Sequence, residues 1–440
     1  MSGLKKMILL ILIMCFCSPG YLHAQKYRLP EGKKAEKIKF ELLNNLIIVP
    51  LKVNGVALSF VLDSGVNKPI LFNLANQDSI QLNNVSEVSI NGLGDGEAIN
   101  VLRSHGNNFS LGAIKNLSQE LYVVMDAAIN FSPSLGIPVH GIIGFDLFRD
   151  FVVEIDYSKQ FLKFHDPKTY QYKKRAKRES FDISLVRNKA YLNAKVGLEN
   201  DEMVAVKMLL DTGSSDAIWL FENDSIVLPR NHYDDFLGKG LSGDVYGKRT
   251  RISHIQIGDF VLHNAQASFP NMSVFWAISD LGDRNGTLGG ALLKRFNIVF
   301  DYQNKKISLK KNNNFKLPFY YNTSGINLQH AGVRYVSDRI LNSTEKTTYG
   351  NVQIMLAGAT RLSLVPEIIV SGIRAGSPAY SSGLKEGDVI LAVNGKRIHR
   401  YKLQEILQML NKNKDKRVKI LVARSNRDLL FSFILKDVFE

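Results

Sequence analysis

Cysteine is almost missing from this 440-residue sequence, which has two, at positions 15 and 17 near the N-terminus. Two neighbouring cysteines cannot supply the dense cross-links of a small disulfide-stapled protein. Proline (12) and tryptophan (2) are also scarce, whereas 45% of the residues are hydrophobic and 22% are charged. This ordinary balance excludes a disordered or collagen-like chain, and the length predicts a globular protein of about three domains.

Long hydrophobic runs are missing beyond the N-terminus, where two lysines precede an apolar run over residues 7–16 and Ala24 follows. This order predicts a secretory signal peptide over residues 1–24, and the run is too short to span a bilayer comfortably. We therefore expect an exported protein, in the periplasm, the cell envelope or the medium, with no transmembrane span in the mature chain. An uncleaved membrane anchor and a lipid-modified Cys17 are the alternatives.

Several signatures of other chemistries are also missing. The nine histidines form no His-Glu-x-x-His pair or Cys/His cluster, and there is no Gly-x-Ser-x-Gly elbow or phosphate-binding loop, so neither a metal nor another cofactor is predicted. The net charge of +15 raises nucleic acid and anionic membranes as partners. No nucleic-acid motif accompanies the basic residues within 168–180, which are typical of a solvated linker. We therefore expect no nucleic-acid partner.

One region of the sequence is duplicated. Residues 61–65, Val-Leu-Asp-Ser-Gly, recur 148 positions later as Leu-Leu-Asp-Thr-Gly at 209–213. Residues 141–144, Gly-Ile-Ile-Gly, recur 145 positions later as Gly-Thr-Leu-Gly at 286–289. Short strand-like runs separated by Gly, Asn, Asp and Ser fill both copies, which indicates a mainly β structure. The sequence therefore predicts two related β lobes.

The duplicated motif presents one aspartate per lobe, in a turn that glycine makes tight. Two lobes related by an approximate two-fold axis can bring Asp63 and Asp211 together. Two carboxyl groups a few ångströms apart cannot both ionise easily, so the pair holds one proton over a wide pH range. The ionised member can activate a water while the protonated member polarises a carbonyl. This pattern predicts peptide hydrolysis without a metal or a covalent intermediate.

The arrangement resembles the retropepsin and pepsin-like aspartic proteases over about residues 38–311. Their active site contains two Asp-Ser/Thr-Gly turns, each supported by a later apolar-apolar-Gly segment. The resemblance implies that Asp63 and Asp211 are catalytic and that β-hairpin flaps lie near residues 89–96 and 237–247. The resemblance also implies five residues that support the two aspartates: Ser64, Gly65, Thr212, Gly213 and Ser214. Of these, Ser64 and Thr212 are implied to join the lobes by hydrogen bonds.

This sequence departs from the family pattern at two positions. Val66 follows the first turn where Ser214 follows the second, and only the serine could donate a hydroxyl to the nearby carboxylate. We therefore expect Asp211 to be the more acidic aspartate. Thr287 stands where the family usually has an apolar residue. A peptide-binding protein that keeps the fold without catalysis is the alternative interpretation.

The region after residue 312 has a different pattern, with Ala-Gly-Ser-Pro-Ala at 375–379, Gly-Leu-Lys-Glu-Gly-Asp at 383–388 and an amphipathic helix near 401–410. This series resembles a bacterial PDZ domain with an insertion over 339–364. The resemblance implies that a peptide or a protein C-terminus adds to a sheet edge beside the helix. A docking module that binds no free peptide is the alternative. The implied groove residues are Gly325, Ile326, Leu328, Leu403 and Leu407.

The sequence therefore predicts a mainly β protein with duplicated pepsin/retropepsin-like barrel lobes and an α+β PDZ domain. The predicted function is an aspartic-type endopeptidase that acts on polypeptides. Because one chain contains both half-sites, we expect a monomer. The predicted segments are a signal peptide (1–24), a first lobe (25–167), a basic linker (168–180), a second lobe (181–312) and a PDZ domain with an insertion (313–440).

Overall fold

The computed structural model describes most of the chain after the predicted signal peptide, which lies outside the described residues. Part of the predicted linker, part of the first predicted flap and much of the predicted insertion also lie outside them. Within the described part of the chain, no helix has the length and apolar character needed to cross a membrane. The described residues are 26–74, 80–94, 97–126, 129–172, 177–199, 202–275, 282–339, 348–349, 352–353, 360–411 and 415–439.

The protein is mainly β, as predicted, and its strands fall into three groups along the chain. The first group is β1 (Ala35–Lys39), β2 (Glu41–Leu43), β3 (Leu46–Val53), β4 (Val56–Leu62), β5 (Ile70–Leu71), β6 (Val85–Ile90), β7 (Ile99–Leu111), β8 (Ile114–Val124), β9 (Gly141–Ile143), β10 (Val152–Asp156) and β11 (Phe161–His165). The second group is β12 (Arg178–Asp182), β13 (Ser184–Val186), β14 (Lys189–Gly197), β15 (Met203–Leu210), β16 (Ile218–Leu220), β17 (His232–Gly240), β18 (Gly243–Ile257), β19 (Phe260–Pro270), β20 (Gly286–Leu288), β21 (Phe296–Asp301) and β22 (Lys306–Lys311). The third group is β23 (Ile326–Arg339), β24 (Thr348–Tyr349), β25 (Val352–Gln353), β26 (Thr360–Ile373), β27 (Val389–Val393), β28 (Lys396–Arg397), β29 (Arg417–Arg424) and β30 (Arg427–Ile434).

Helices are short and join the strands. The α-helices of the described residues are α1 (Ser132–Leu135), α2 (Phe145–Asp150), α3 (Gly290–Leu293), α4 (Pro378–Ser381) and α5 (Leu403–Asn411), and the 3-10 helices are Met272–Phe275 and Ile398–Arg400.

Two eight-stranded sheets share one topology. The first has the order β2-β3-β4-β9-β5-β8-β7-β6, and the second has the order β13-β14-β15-β20-β16-β19-β18-β17. Each strand of the first sheet corresponds to a strand at the same place in the second, and the additional pairings β3–β7 and β14–β18 correspond as well. We call β2–β9 the first lobe and β13–β20 the second lobe.

Strand β3 illustrates how the sequence forms these sheets. Val49, Leu51 and Val53 are buried, while the residues between them are exposed, which is the two-residue alternation of a strand with one face in the core. Asn54 and Gly55 then turn the chain with positive φ angles of 48° and 92°. Asn-Gly is a favoured pair for such a tight hairpin, so the turn sets the register between β3 and β4.

A six-stranded sheet of order β1-β11-β10-β21-β22-β12 joins the lobes. At its centre β10 pairs antiparallel with β21, with Ile155 opposite Ile298. Residues 178–180, which the sequence assigned to a solvated linker, instead begin β12, because Arg178–Asp182 pairs along β22. One hydrophobic core runs through both lobes and this sheet, so the relative position of the lobes is fixed by packing.

The C-terminal domain has its own sheet, β23-β26-β27-β29-β30, with β28 paired to β27. Helix α5 covers this sheet and buries Leu403, Ile406 and Leu410 in a separate hydrophobic core. The described part of the predicted insertion extends β23 and β26 into a long hairpin. Among the described residues β23 is the outermost strand of this sheet, and it lies beside α5.

Candidate active site

The two Asp-Ser/Thr-Gly turns are held by the same backbone arrangement. In the first lobe β9 runs parallel to β4, and the Asp63 amide donates a hydrogen bond of 2.8 Å to the carbonyl oxygen of Ile143. In the second lobe β20 runs parallel to β15, and the Asp211 amide donates a hydrogen bond of 3.0 Å to the carbonyl oxygen of Leu288. The second duplicated segment therefore anchors the aspartate of the first in each lobe.

The two aspartates meet at the lobe interface, where a Cβ atom at position 65 would lie 3.1 Å from Asp63 Oδ1 and 3.4 Å from Asp211 Cγ. The Gly65 amide donates to Asp63 Oδ1 over 2.6 Å, and the Gly213 amide donates to Asp211 Oδ1 over 2.9 Å. A Cβ atom at position 213 would lie 2.2 Å from Asp63 Cγ. The close approach of the second turn to Asp63 therefore requires glycine. We call Asp63 and Asp211 the dyad.

Ser64 and Thr212 are fully buried beneath the dyad and link the lobes by four hydrogen bonds. The Ser64 amide donates to Thr212 Oγ1 and the Thr212 amide donates to Ser64 Oγ, both over 3.0 Å. Each hydroxyl then donates over 2.7 Å to a strand carbonyl of the other lobe, Ser64 to Leu210 and Thr212 to Leu62. The structure therefore contains the interlobe hydrogen bonds that the resemblance implied.

We expect Thr212→Val to destabilise the lobe interface by about 2–4 kcal/mol, because it leaves the Ser64 amide and the Leu62 carbonyl buried without partners. The shape of the side chain is nearly preserved, so the loss reports hydrogen bonding. Urea unfolding followed by the fluorescence of the buried Trp219 measures the change. Thr360→Val, at an exposed position of β26, is the control. An unchanged urea midpoint would contradict this prediction.

The electrostatics of the dyad are asymmetric. Burial between the lobes, followed by the negative charge of Asp211, raises the pKa of Asp63 well above its usual value. The hydrogen bond from the Gly65 amide and the charge of Lys189 act in the opposite direction but are smaller. Asp63 therefore holds its proton at a pH where an exposed aspartate would be ionised.

The raised pKa of Asp63 predicts a pH-dependent effect of Asp63→Asn on stability. A folded-state pKa above the unfolded value stabilises the fold at low pH, and this contribution is lost as pH rises through the folded pKa. Because asparagine has no such titration, we expect the variant to melt above wild type by a margin that grows from pH 4 to pH 7. Thermal unfolding at both pH values measures the margin, with exposed Asp182→Asn as the control. A margin that is equal at both pH values, or that shrinks, would refute the effect.

The support expected from Ser214 is not present in the described part of the chain. Among the described residues, the Ser214 hydroxyl makes no hydrogen bond to Asp211, whose Oδ1 accepts from the Gly213 amide. The Ser214 side chain lies beside Gly289, since a Cβ atom at that position would lie 2.8 Å from Ser214 Oγ. The hydrogen bond on which the sequence-based ranking of the two aspartates rested is therefore not among those of the described residues. Sequence reasoning missed the support from Asn45, whose side-chain Nδ2 donates a hydrogen bond of 2.8 Å to the backbone carbonyl oxygen of Ser215 in the other lobe.

The hairpins β6–β7 and β17–β18 are located where the sequence predicts flaps, and their tips touch. The Gly92 amide donates over 2.9 Å to Ser242 Oγ, and the Ser242 amide donates over 3.0 Å to the Leu93 carbonyl. Leu93 packs against an apolar cluster of the second lobe that includes Phe221, while Leu241 packs against a cluster of the first lobe. Each tip therefore crosses to the opposite lobe.

Three further groups near the dyad were missed by sequence reasoning. Lys189 and Arg284 interact electrostatically with Asp211, and burial lowers the pKa of each. Tyr302 is buried, and its pKa is raised by burial and then by the charges of Asp63 and Asp211. Alignment of the two copies could have pointed to Lys189 and Arg284, because both are charged where the first copy has an apolar residue.

The predicted groove residues of the C-terminal domain lie together where β23 meets α5, in the hydrophobic core of the domain or at its edge. A turn of the first lobe reaches the same place, since the side chain of Gln404 donates over 2.7 Å to the Leu135 carbonyl. A Cβ atom at Gly136 would lie 2.9 Å from Leu403 Cβ. A peptide that extended along β23 as far as Leu403 would therefore meet this turn. The predicted groove residues in this core or at its edge are Gly325, Ile326, Leu328, Leu403 and Leu407.

Comparison with solved structures finds an aspartic proteinase from Irpex lacteus, which is 14% identical to this chain and has a TM-score of 0.39. The match covers 64% of this chain and 99% of the fungal chain. Residues 369–424 match a family model described as a PDZ domain. These residues include the end of β26 and all of α4, β27, β28, α5 and β29. The C-terminal domain of this chain is therefore a PDZ domain.

Proposed function

We propose that this chain is an aspartic-type endopeptidase that hydrolyses polypeptides with the dyad. The observation that carries the proposal is that equivalent turns place the Asp63 and Asp211 carboxyl groups side by side at the lobe interface. Two carboxyl groups this close share one proton, which gives the site one general acid and one general base. The touching hairpin tips provide a cover for an extended peptide bound across the dyad.

In the proposed reaction Asp63 starts protonated and Asp211 starts ionised. The Asp211 carboxylate takes a proton from a water molecule as the water oxygen bonds to the carbonyl carbon of the peptide bond. Asp63 donates its proton to the carbonyl oxygen, which avoids a free oxyanion. Asp211 then donates the proton that it took from water to the peptide nitrogen, while Asp63 takes a proton back from one hydroxyl of the tetrahedral intermediate. The carbon–nitrogen bond breaks, an amine and a carboxylic acid are released, and the dyad returns to its starting protonation state.

The PDZ domain adds a peptide-binding function, which we propose serves to select or tether polypeptide substrates or protein C-termini. We also propose that the chain is exported by its N-terminal segment and acts as a monomer, because both aspartates belong to one chain. Neither a metal nor a cofactor takes part in the proposed reaction.

Incubation of the protein with a peptide library between pH 3 and pH 8 tests the proposal. Reactions in ¹⁸O-labelled water, analysed by mass spectrometry, should show one ¹⁸O atom in each new C-terminus at early times. The expected result is cleavage within peptides, with activity extending above the pH range of an ordinary carboxyl pair because the pKa of Asp63 is raised. Absence of cleavage at every pH, together with retained peptide binding, would favour the alternative of a non-catalytic peptide-binding protein.

A further inference from the structure

The two lobes place unlike residues at equivalent positions beside the dyad. Along β3 and β4, Ile48 lies opposite Val61, so Leu46 lies at the position facing Asp63. Along β14 and β15, Tyr191 lies opposite Leu209, and continuing this register places Lys189 facing Asp211. Both residues follow a two-residue hairpin turn with positive φ angles, so their positions in the fold correspond.

The next pair of strands shows the same contrast. Ile142 of β9 lies opposite Val61, whereas Thr287 of β20 lies opposite Leu209. Two residues before each strand, the first lobe has Val139 and the second has Arg284. In the first lobe, Leu46, Val61, Val139 and Ile142 belong to one apolar cluster with hairpin-tip Leu241. We call Leu46, Val61, Val139 and Ile142 the apolar subsite. We call the equivalent residues of the second lobe the basic subsite: Lys189, Leu209, Arg284 and Thr287.

Arg284 is held in place by neutral groups. Its Nη2 donates to the hydroxyl of Thr287, and its Nε donates over 3.1 Å to the Gly286 carbonyl. The guanidinium also lies over the ring of Phe221, 5.0 Å from the ring centre. These contacts orient Arg284 without neutralising it, and they explain why Thr287 replaces an apolar residue.

Lys189 is half-buried and, within the described part of the chain, makes neither an ion pair nor a side-chain hydrogen bond. Burial and the charge of Arg284 lower its pKa, while the charges of Asp211 and Asp63 raise it. Two neighbouring cations thus share a partly desolvated site, where Lys189 feels the charges of both dyad carboxylates and Arg284 feels that of Asp211. A carboxylate brought in by a ligand would relieve the repulsion between them.

We propose that the basic subsite binds an aspartate or glutamate side chain of the substrate, while the apolar subsite binds a large apolar side chain on the other side of the scissile bond. This inference builds on the proposed function, because it names the substrate class of the same site. Lys189 and Arg284 supply charge-assisted hydrogen bonds to the carboxylate. The same two cations reject lysine and arginine at that position, so the site discriminates by repulsion as well as by attraction.

Matched peptides that differ only by Glu, Gln or Lys at each position near the scissile bond test this inference. For wild type we expect kcat/KM to be about tenfold higher for Glu than for Gln at one position, in keeping with a charge-assisted contact. We expect Lys189→Met to reduce the Glu/Gln ratio of kcat/KM severalfold. We expect Lys189→Glu to reverse the preference, so that kcat/KM is higher for the Lys peptide than for the Glu peptide. Lys195→Met, at an exposed position of the same strand, should leave the ratio unchanged.

A binding measurement separates this inference from the proposed function. Titration of the same peptides into Asp63→Asn protein reports recognition without requiring turnover. Selective binding of Glu peptides that Lys189→Met weakens supports the basic subsite, even if wild type cleaves nothing and the proposed function fails. Equal use and equal binding of Glu and Gln peptides would overturn the inference. An equal loss of kcat/KM for every peptide in Lys189→Met, with a shifted pH profile, would also overturn it, because Lys189 would then act only on the dyad.

Discussion

Replacing either Asp63 or Asp211 by asparagine is expected to lower kcat for peptide hydrolysis by about 10³-fold or more, since each substitution removes one partner of the acid–base pair. Asparagine keeps the shape of the side chain and can still accept the hydrogen bond from Gly65 or Gly213. We therefore expect peptide affinity to change much less than kcat. Steady-state kinetics and peptide titration on the same protein samples measure the two effects.

The double substitution distinguishes a shared proton from two independent contributions. If the dyad acts as a unit, Asp63→Asn combined with Asp211→Asn lowers kcat no further than the worse single variant. Asp182→Asn, at an exposed position on β12, should retain wild-type activity. Cleavage that survives both single substitutions would remove the dyad from the mechanism.

The duplicated framework of the fold could be predicted because short sequence patterns determine it. The turn glycines, the strand alternation and the repeated Gly-x-x-Gly segments each recur at a nearly constant spacing. Asp63 and Asp211 could be paired on that basis, because two equivalent strand ends meet when both lie close to the two-fold axis that relates the lobes. The mainly β class and the PDZ domain followed from patterns of the same kind.

The asymmetric features of the site could not be predicted in this way. The contacts of Arg284 with Thr287 and Phe221 depend on how the second lobe packs, and no motif encodes them. Residues 178–180 lie in a segment with the charge of a solvated linker, yet they pair with β22, a strand far along the sequence that offers its edge only once it has paired with β21. Tertiary pairing overrides local propensity at such positions.

Glycine at position 213 is expected to be essential for activity in a way that glycine at position 65 is not. A Cβ atom at 213 would lie 2.2 Å from Asp63 Cγ and 2.4 Å from its Oδ2. At position 65 the nearest contacts are 3.1 Å to Asp63 Oδ1 and 3.4 Å to Asp211 Cγ. The methyl group of Gly213→Ala must therefore displace the Asp63 carboxyl group, whereas that of Gly65→Ala requires a shift of a few tenths of an ångström.

We expect Gly213→Ala to lower kcat about 10²-fold or more, because a displacement of about 1 Å at a reacting group has an effect of that size. The colliding atoms belong to a side chain that can rotate away, so we expect thermal stability to fall less than activity. Gly65→Ala is the matched control, with the same chemical change in the equivalent turn, and should retain most of the activity. Equal kcat values for the two variants would show that the orientation of Asp63 does not limit the reaction.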